Sequence, residues 1–208
     1  MKRRMYFFAL SCLVALPLCA QTSRFAWQVG GGFSEPVKDL GHHLDTGWNA
    51  TAGAGVNLDS HVGVMVDFMY NHFGINRTSL NEVQAPNGTA GVWAFTLDPI
   101  VRFAPHGHVG FYVTGGGGVY HRTVEFTQPA IADVTLFDPW FGVFFPSQVV
   151  TNQVIGSFSV TKPGFNIGAG VTFRVGDNSQ FYAETRYHKM FTDRVNTTIL
   201  PVTFGFRW

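Results

Sequence analysis

The stretch Leu200-Pro201-Val202-Thr203-Phe204-Gly205-Phe206-Arg207-Trp208 decides how the rest of this chain is read. Leu200, Val202, Phe204, Phe206 and Trp208 take every second position, with Pro201, Thr203, Gly205 and Arg207 between them. Successive side chains of an extended backbone point to opposite sides, so period two marks a strand with one apolar face. The same rhythm runs upstream. From Phe165 to Val175, Phe165, Ile167, Ala169, Val171, Phe173 and Val175 share a face opposite Asn166, Gly168, Gly170, Thr172 and Arg174. From Trp93 to Phe103, Trp93, Phe95, Leu97, Pro99, Val101 and Phe103 oppose Ala94, Thr96, Asp98, Ile100 and Arg102.

Noisier versions of the pattern cover roughly 25–33, 48–58, 62–73, 109–121 and 180–190, which makes eight candidate strands. Each is about as long as a tilted strand needs to cross a bilayer. The connections alternate in length. Turn-forming residues occupy Asp59-Ser60-His61, Ala104 to His108 and Gly176 to Ser179, whereas 34–47, 74–91, 122–162 and 191–196 are longer and irregular. Short turns at one end and longer loops at the other are the up-and-down arrangement of an outer-membrane barrel. Gly53-Ala54-Gly55-Val56, Gly116-Gly117-Gly118-Val119 and Gly168-Ala169-Gly170-Val171 repeat a small-residue motif in three of these strands. Glycines there leave room inside a narrow barrel. No Lys-Ser/Thr follows Gly115 to Gly118, so a phosphate-binding loop is a poor reading of that run.

Composition agrees. Only 13% of the 208 residues are charged, aromatics reach 15% with 21 Phe, and Gly numbers 24. That is about half the usual charged share of a soluble domain. Lys and Arg total 14 against 13 Asp and Glu, so no excess charge points to nucleic acid. A soluble eight-stranded barrel of the lipocalin kind is the main rival, and the two differ in which face is apolar. Here the polar faces collect Asp67, Asp98, Arg102, Arg174, Glu184, Arg186 and Arg207, and the apolar faces collect Phe, Trp, Val and Leu. The sequence therefore predicts an all-β fold, an eight-stranded antiparallel up-and-down transmembrane β-barrel with apolar exterior and polar lumen.

The N-terminus supplies an export route. Lys2, Arg3 and Arg4 precede an apolar run from Met5 to Leu18, and Leu18-Cys19-Ala20 ends in a small residue before Gln21. This reads as a cleaved signal peptide over residues 1–20, followed by the barrel domain over 21–208. Both cysteines, Cys12 and Cys19, fall within the leader, so the mature chain is expected to carry no thiol for catalysis, disulfides or metal ligation.

The closing strand Pro201 to Trp208, with its terminal aromatic, resembles the C-terminal signature of outer-membrane proteins. Together with Tyr182-Ala183-Glu184-Thr185-Arg186-Tyr187-His188 and the Gly-x-Gly-Val strands, it is similar to the OmpA/OmpX-type outer-membrane β-barrel domain family. The resemblance covers the mature chain. It implies a diderm outer membrane, lipid as the surrounding partner, and the barrel-assembly machinery reading Phe204, Phe206 and Trp208 during biogenesis. The usual terminal residue of that signature is Phe, so Trp208 departs from it.

Three groups of residues are candidates for function. The seven lumenal charges named above are expected to pair, with Asp98 and Arg102 on one strand face as natural members. An eight-stranded lumen is just large enough for side chains, which favours a filled interior. His188 stands where a small-barrel deacylase would show His-x-Ser, but His188-Lys189-Met190 lacks the nucleophile, so no catalytic residue is assigned. His61, His106 and His108 in neighbouring short turns are read as unliganded, and neither a metal nor another cofactor is expected. Phe137-Asp138-Pro139-Trp140-Phe141-Gly142-Val143-Phe144-Phe145-Pro146 packs Phe137, Trp140, Phe141, Phe144 and Phe145 into one segment. It is expected either to pack on itself as a cap over the barrel mouth or to serve adhesion or contact with lipid or a partner protein, with the cap or lipid contact favoured. The favoured function is thus a monomeric, non-enzymatic barrel with a structural, adhesion or surface-interaction role toward host or envelope ligands. A narrow pore or small apolar-solute carrier gated by the aromatic segment is the alternative, and a lipid-modifying enzyme a third.

Overall fold

Strand β4 (Asn87–Phe103) shows why the chain folds as it does. Phe95 and Leu97 are each 54% exposed, while Thr96 and Asp98, which alternate with them, are at most 2% exposed. Apolar side chains point out and polar ones point in, the reverse of a soluble barrel. The computed structural model describes residues 24–103, 107–176, 178–192 and 196–208. The leader at 1–20 and its two cysteines, like Ala104, Pro105 and His106, lie outside the described residues.

Eight antiparallel strands close into a ring in chain order. Besides β4 they are β1 (Phe25–Pro36), β2 (Gly47–Asn57), β3 (Val62–Gly74), β5 (Val109–Asp138), β6 (Val143–Arg174), β7 (Gln180–Met190) and β8 (Thr197–Arg207). β8 pairs with β1 from Gln28↔Arg207 to Pro36↔Ile199, so the ring leaves no edge within the barrel wall. Closure lets neighbouring strands satisfy one another's backbone groups around the ring, which a strand in lipid requires. No helix among the described residues is long and apolar enough to cross a membrane.

Two belts of outward aromatics mark the ends of the lipid-facing band. On the long-loop side Trp48 packs against Tyr70 at 5.5 Å, Trp93 stacks on His121 at 5.1 Å, and Phe165 meets Phe191 at 5.8 Å. On the short-turn side Phe181 contacts both Phe173 and Phe206. Such belts sit at the membrane–water interfaces. The interior is layered. Ala26, Met65, Ile100 and Tyr112 pack together toward the short turns, and Phe73, Ala94, Tyr120 and Met190 belong to an apolar cluster toward the long loops. Between them lies a polar layer.

The long-loop end departs from expectation in one place. Residues 122–162 are not an irregular loop. β5 and β6 stay paired out to Asp138↔Val143, with a register shift between Phe126 and Thr127, and join through a tight turn at 139–142. β4 leaves β5 at Thr127 and β7 leaves β6 at Gly164, so the outer part of this hairpin stands free of the wall. At about 3.3 Å per residue its free end reaches roughly 35–40 Å. The first two long connections carry a 3-10 turn (Lys38–His42) and helix α1 (Arg77–Glu82). Asn76 caps α1, its side chain accepting the Ser79 N–H at 2.9 Å.

Candidate functional site

The polar layer is organised by one residue. Strand period two places Glu184 and Arg186 on the same inner face of β7, and the Arg186 guanidinium reaches across the lumen. Its Nη2 lies 2.8 Å from Asp67 Oδ2 on β3, its Nη1 lies 2.8 Å from Asp98 Oδ2 on β4, and its Nε donates to Glu184 Oε1. All four residues are at most 4% exposed. The remaining acceptors are filled too. Asp67 Oδ1 accepts from Gln28 Nε2 at 2.6 Å, Asp98 Oδ1 from Asn166 Nδ2 at 2.7 Å, and Asp98 Oδ2 also from Thr96 Oγ1 at 2.7 Å. A buried ionic cluster persists only when its lone pairs are met this way.

Arg207 forms a second station. It donates through Nε and Nη2 to Gln28 Oε1 at 3.0 and 2.6 Å, and its guanidinium lies 4.6 Å from the Tyr112 ring and 5.1 Å from that of Tyr182. Lumenal glycines make the space. A Cβ on Gly53 would fall on the Asp67 carboxylate, one on Gly168 on the Arg186 stem, and one on Gly170 on the Tyr112 ring.

Of the seven charges expected in the lumen, five therefore lie in this layer: Asp67, Asp98, Glu184, Arg186 and Arg207. Asp98 is a member of this network and Arg102 is not. Four residues along a strand are about 13 Å of chain, and Asp98 instead takes Arg186 from across the lumen. Arg102 lines the short-turn mouth beside Asn57 and Gln180, and Arg174 is exposed at the same end. Gln28, Asn166 and the three tyrosines 112, 120 and 182 complete the filling without having been singled out in the sequence. Their inward position in the alternation was the available signal.

His188 is also lumenal, 2% exposed, with Nδ1 2.9 Å from the Tyr120 hydroxyl. Among the described residues no group of three or more His, Cys, Asp or Glu side chains is arranged to hold a metal. His61 hydrogen-bonds Ser60, and His106 lies outside the described residues.

The aromatic segment lies at the far end of the β5–β6 hairpin. Trp140 is 91% exposed and Phe141 80%, with Phe137, Phe144 and Phe145 exposed beside them. They do not cap the barrel mouth, because the paired strands carry them away from it. Phe137 and Phe144 pair across the strands at 4.9 Å, and Ile131 and Val150 continue the same face. Asp138 Oδ1 accepts the Trp140 N–H at 2.8 Å and fixes the turn.

An apolar-outside, polar-inside ring of eight strands with interfacial aromatic belts is a transmembrane β-barrel. The chain belongs to the outer membrane protein beta-barrel domain family, which matches residues 7–207, and its place is the bacterial outer membrane. Similar solved structures include Neisserial surface protein A, with a TM-score of 0.57 and 16% identity over 89% of this chain and 96% of that one. A major outer membrane protein of Thermus thermophilus gives 0.54 and 11% over 88% and 97%. The attachment invasion locus protein Ail of Yersinia pestis, in complex with the heparin analogue sucrose octasulfate, gives 0.50 and 20% over 88% and 97%. At these identities the likeness is one of fold. A comparison with curated proteins yields no match.

Proposed function

We propose that this protein is a non-enzymatic surface-interaction barrel, a filled and rigid cylinder that holds the β5–β6 hairpin out from the outer membrane to contact a partner surface. The observation that carries this reading is the exposure of Trp140 and Phe141 at the tip of a hairpin anchored in the wall at its base. Large exposed apolar groups gathered at one place mark interaction sites, and aromatic residues supply much of the energy at such contacts. Between Thr127 and Val154 the hairpin carries only Asp133 and Asp138 as charges. This favours an apolar or cationic contact over a ligand like the heparin analogue bound by Ail.

The filled lumen supports the same reading over a pore. The Arg186 cluster sits between two apolar layers, so ion passage requires breaking the bonds that Arg186 makes to Asp67, Asp98 and Glu184 across the lumen. His188 faces Tyr120 in that closed interior, where no lipid ester has access, which supports a barrel without lipid-modifying activity. Export through the leader at 1–20, insertion by the assembly machinery through Phe204, Phe206 and Trp208, and a monomeric state belong to the same proposal.

The test is retention of whole cells on immobilised host matrix proteins and on purified envelope fractions. Cells displaying the wild-type barrel are compared with cells displaying the triple variant Trp140→Ser, Phe141→Ser, Phe144→Ser. Retention that falls with the triple variant at equal surface display supports the reading, and unchanged retention on every surface that holds the wild type removes it. Planar-bilayer recording checks the lumen, where stable discrete openings would favour the pore.

A further inference from the structure

At the long-loop mouth, apart from the hairpin tip, the first two long connections and strands β4, β5 and β6 enclose a cavity of about 350 Å³. Leu44, Ile75, Ala90, Val92, Val124 and Phe126 make its walls apolar, and Arg122 brings a guanidinium into them. The walls are tied together, because His43 Nδ1 hydrogen-bonds Ser79 Oγ at 2.8 Å and so joins the first connection to α1. We propose that this cavity binds a medium-chain alkyl carboxylate, with the carboxylate on Arg122 and the chain along Val92, Val124 and Phe126.

The electrostatics of Arg122 point to the head group. Its Nη1 donates to Thr197 Oγ1 at 2.9 Å, and its Nε is buried with no acceptor. Among the described residues no carboxylate forms an ion pair with it, in contrast to Arg186 with three. Arg122 is thus a half-buried cation in the wall of the cavity with no carboxylate of its own, and a carboxylate entering that cavity supplies the counter-charge through charge-assisted hydrogen bonds. Asp39 and Glu82 also line the cavity. Their charge weighs against any anion, and about twice as heavily against a doubly charged phosphate as against a carboxylate, so the head group must sit on Arg122 and away from them.

Shape and position agree. A volume of this size falls at the small end of ligand sites, roughly 300–1,000 Å³, which are typically apolar with a few placed polar groups. Arg122 follows His121, which stacks on Trp93 in the interfacial belt. The head group would thus lie near the level of the lipid head groups, with the chain in the shelter of the two connections and β5.

Methyl NMR of Ile75, Val92 and Val124, with the full barrel in phosphatidylcholine nanodiscs, tests this directly. Decanoate, decanol and decyltrimethylammonium are titrated in turn. Saturable shifts with decanoate are expected, roughly tenfold weaker with decanol and in Arg122→Gln, and absent in Val124→Trp, which fills the cavity. Equal affinity for decanol, tighter binding of the ammonium, or shifts that rise linearly without saturation (simple partitioning into lipid) each overturn the proposal. If either variant fails to show the heat-modifiable gel migration of a folded barrel, the three-ligand series on the wild type decides alone.

Discussion

Arg186 Nη2 lies 2.8 Å from Asp67 Oδ2, joining β7 to β3, strands that stand on opposite sides of the ring and share no ladder. The wall is held by hydrogen bonds between neighbours. This contact, with its partner to Asp98, braces the cylinder across its diameter.

Removing the guanidinium leaves three buried carboxylates together without a counter-ion. Arg186→Leu is therefore expected to cost about 3–5 kcal/mol of stability, read as a lower urea midpoint in reversible unfolding from lipid vesicles. The double change Arg186→Leu, Asp98→Asn is expected to recover part of that loss. A wild-type midpoint for the single variant would show that the cluster contributes no bracing.

Space on the two faces of β6 predicts opposite tolerance at adjacent positions. A side chain at Gly170 enters the Tyr112 ring, whereas Ala169 faces lipid and is exposed. Gly170→Leu is expected to destabilise by about 1–3 kcal/mol or to block folding. Ala169→Leu is expected to stay within about 0.5 kcal/mol of wild type. The same unfolding assay checks both, and equal effects would contradict the assigned facing.

That facing was legible from the alternation alone, because one side of each barrel strand meets lipid and the other meets packed polar side chains. From Leu200 to Trp208 the reading holds residue by residue. The outer hairpin was not legible, since strands 127–138 and 143–154 cover no core and both faces meet solvent. Without a buried face there is no apolar–polar contrast, and Pro129, Pro139 and Pro146 add turn signals. The partner of Asp98 was hidden for another reason. Which residues meet across a lumen depends on strand tilt and stagger around the whole ring, and a single strand such as 93–103 carries no record of it. The Arg122 cavity is assembled from two loops and three strands, so only their folded positions reveal it.

The short turn between β2 and β3 carries a pH signature. Asp59 Oδ1 accepts the His61 N–H at 2.6 Å and the Val62 N–H at 2.8 Å. These two bonds, His61 first, hold the carboxyl below the usual aspartate range. A lowered folded-state value means that the turn is fully held above the unfolded range and loosens as pH falls through the folded value. The amide shifts of His61 and Val62 are expected to titrate together, with a midpoint below the ~3.9 of a free aspartate. The transition should vanish in Asp59→Ala. A midpoint at or above the free value would contradict the geometry.

Ring closure predicts a separation between folding in the test tube and assembly in the cell. Trp208 donates its N–H to the Trp27 carbonyl at 3.0 Å and accepts the Trp27 N–H at 2.8 Å, the last pair of the β8–β1 seam. Truncation after Arg207 removes two backbone hydrogen bonds at a membrane interface, an expected loss of about 1–3 kcal/mol. The other strand pairs and the Arg186 cluster remain, so the purified variant should still refold in detergent and migrate differently before and after boiling. In cells the same truncation deletes the terminal aromatic of the strand Phe204-Gly205-Phe206-Arg207-Trp208. Assembled barrel in the outer membrane is then expected to fall far more than the stability loss accounts for. Replacement of Trp208 by Phe, which keeps both backbone bonds and a terminal ring, should restore it. Equal assembly of the truncated and full chains would show that the terminal aromatic serves the seam and not recognition by the assembly machinery.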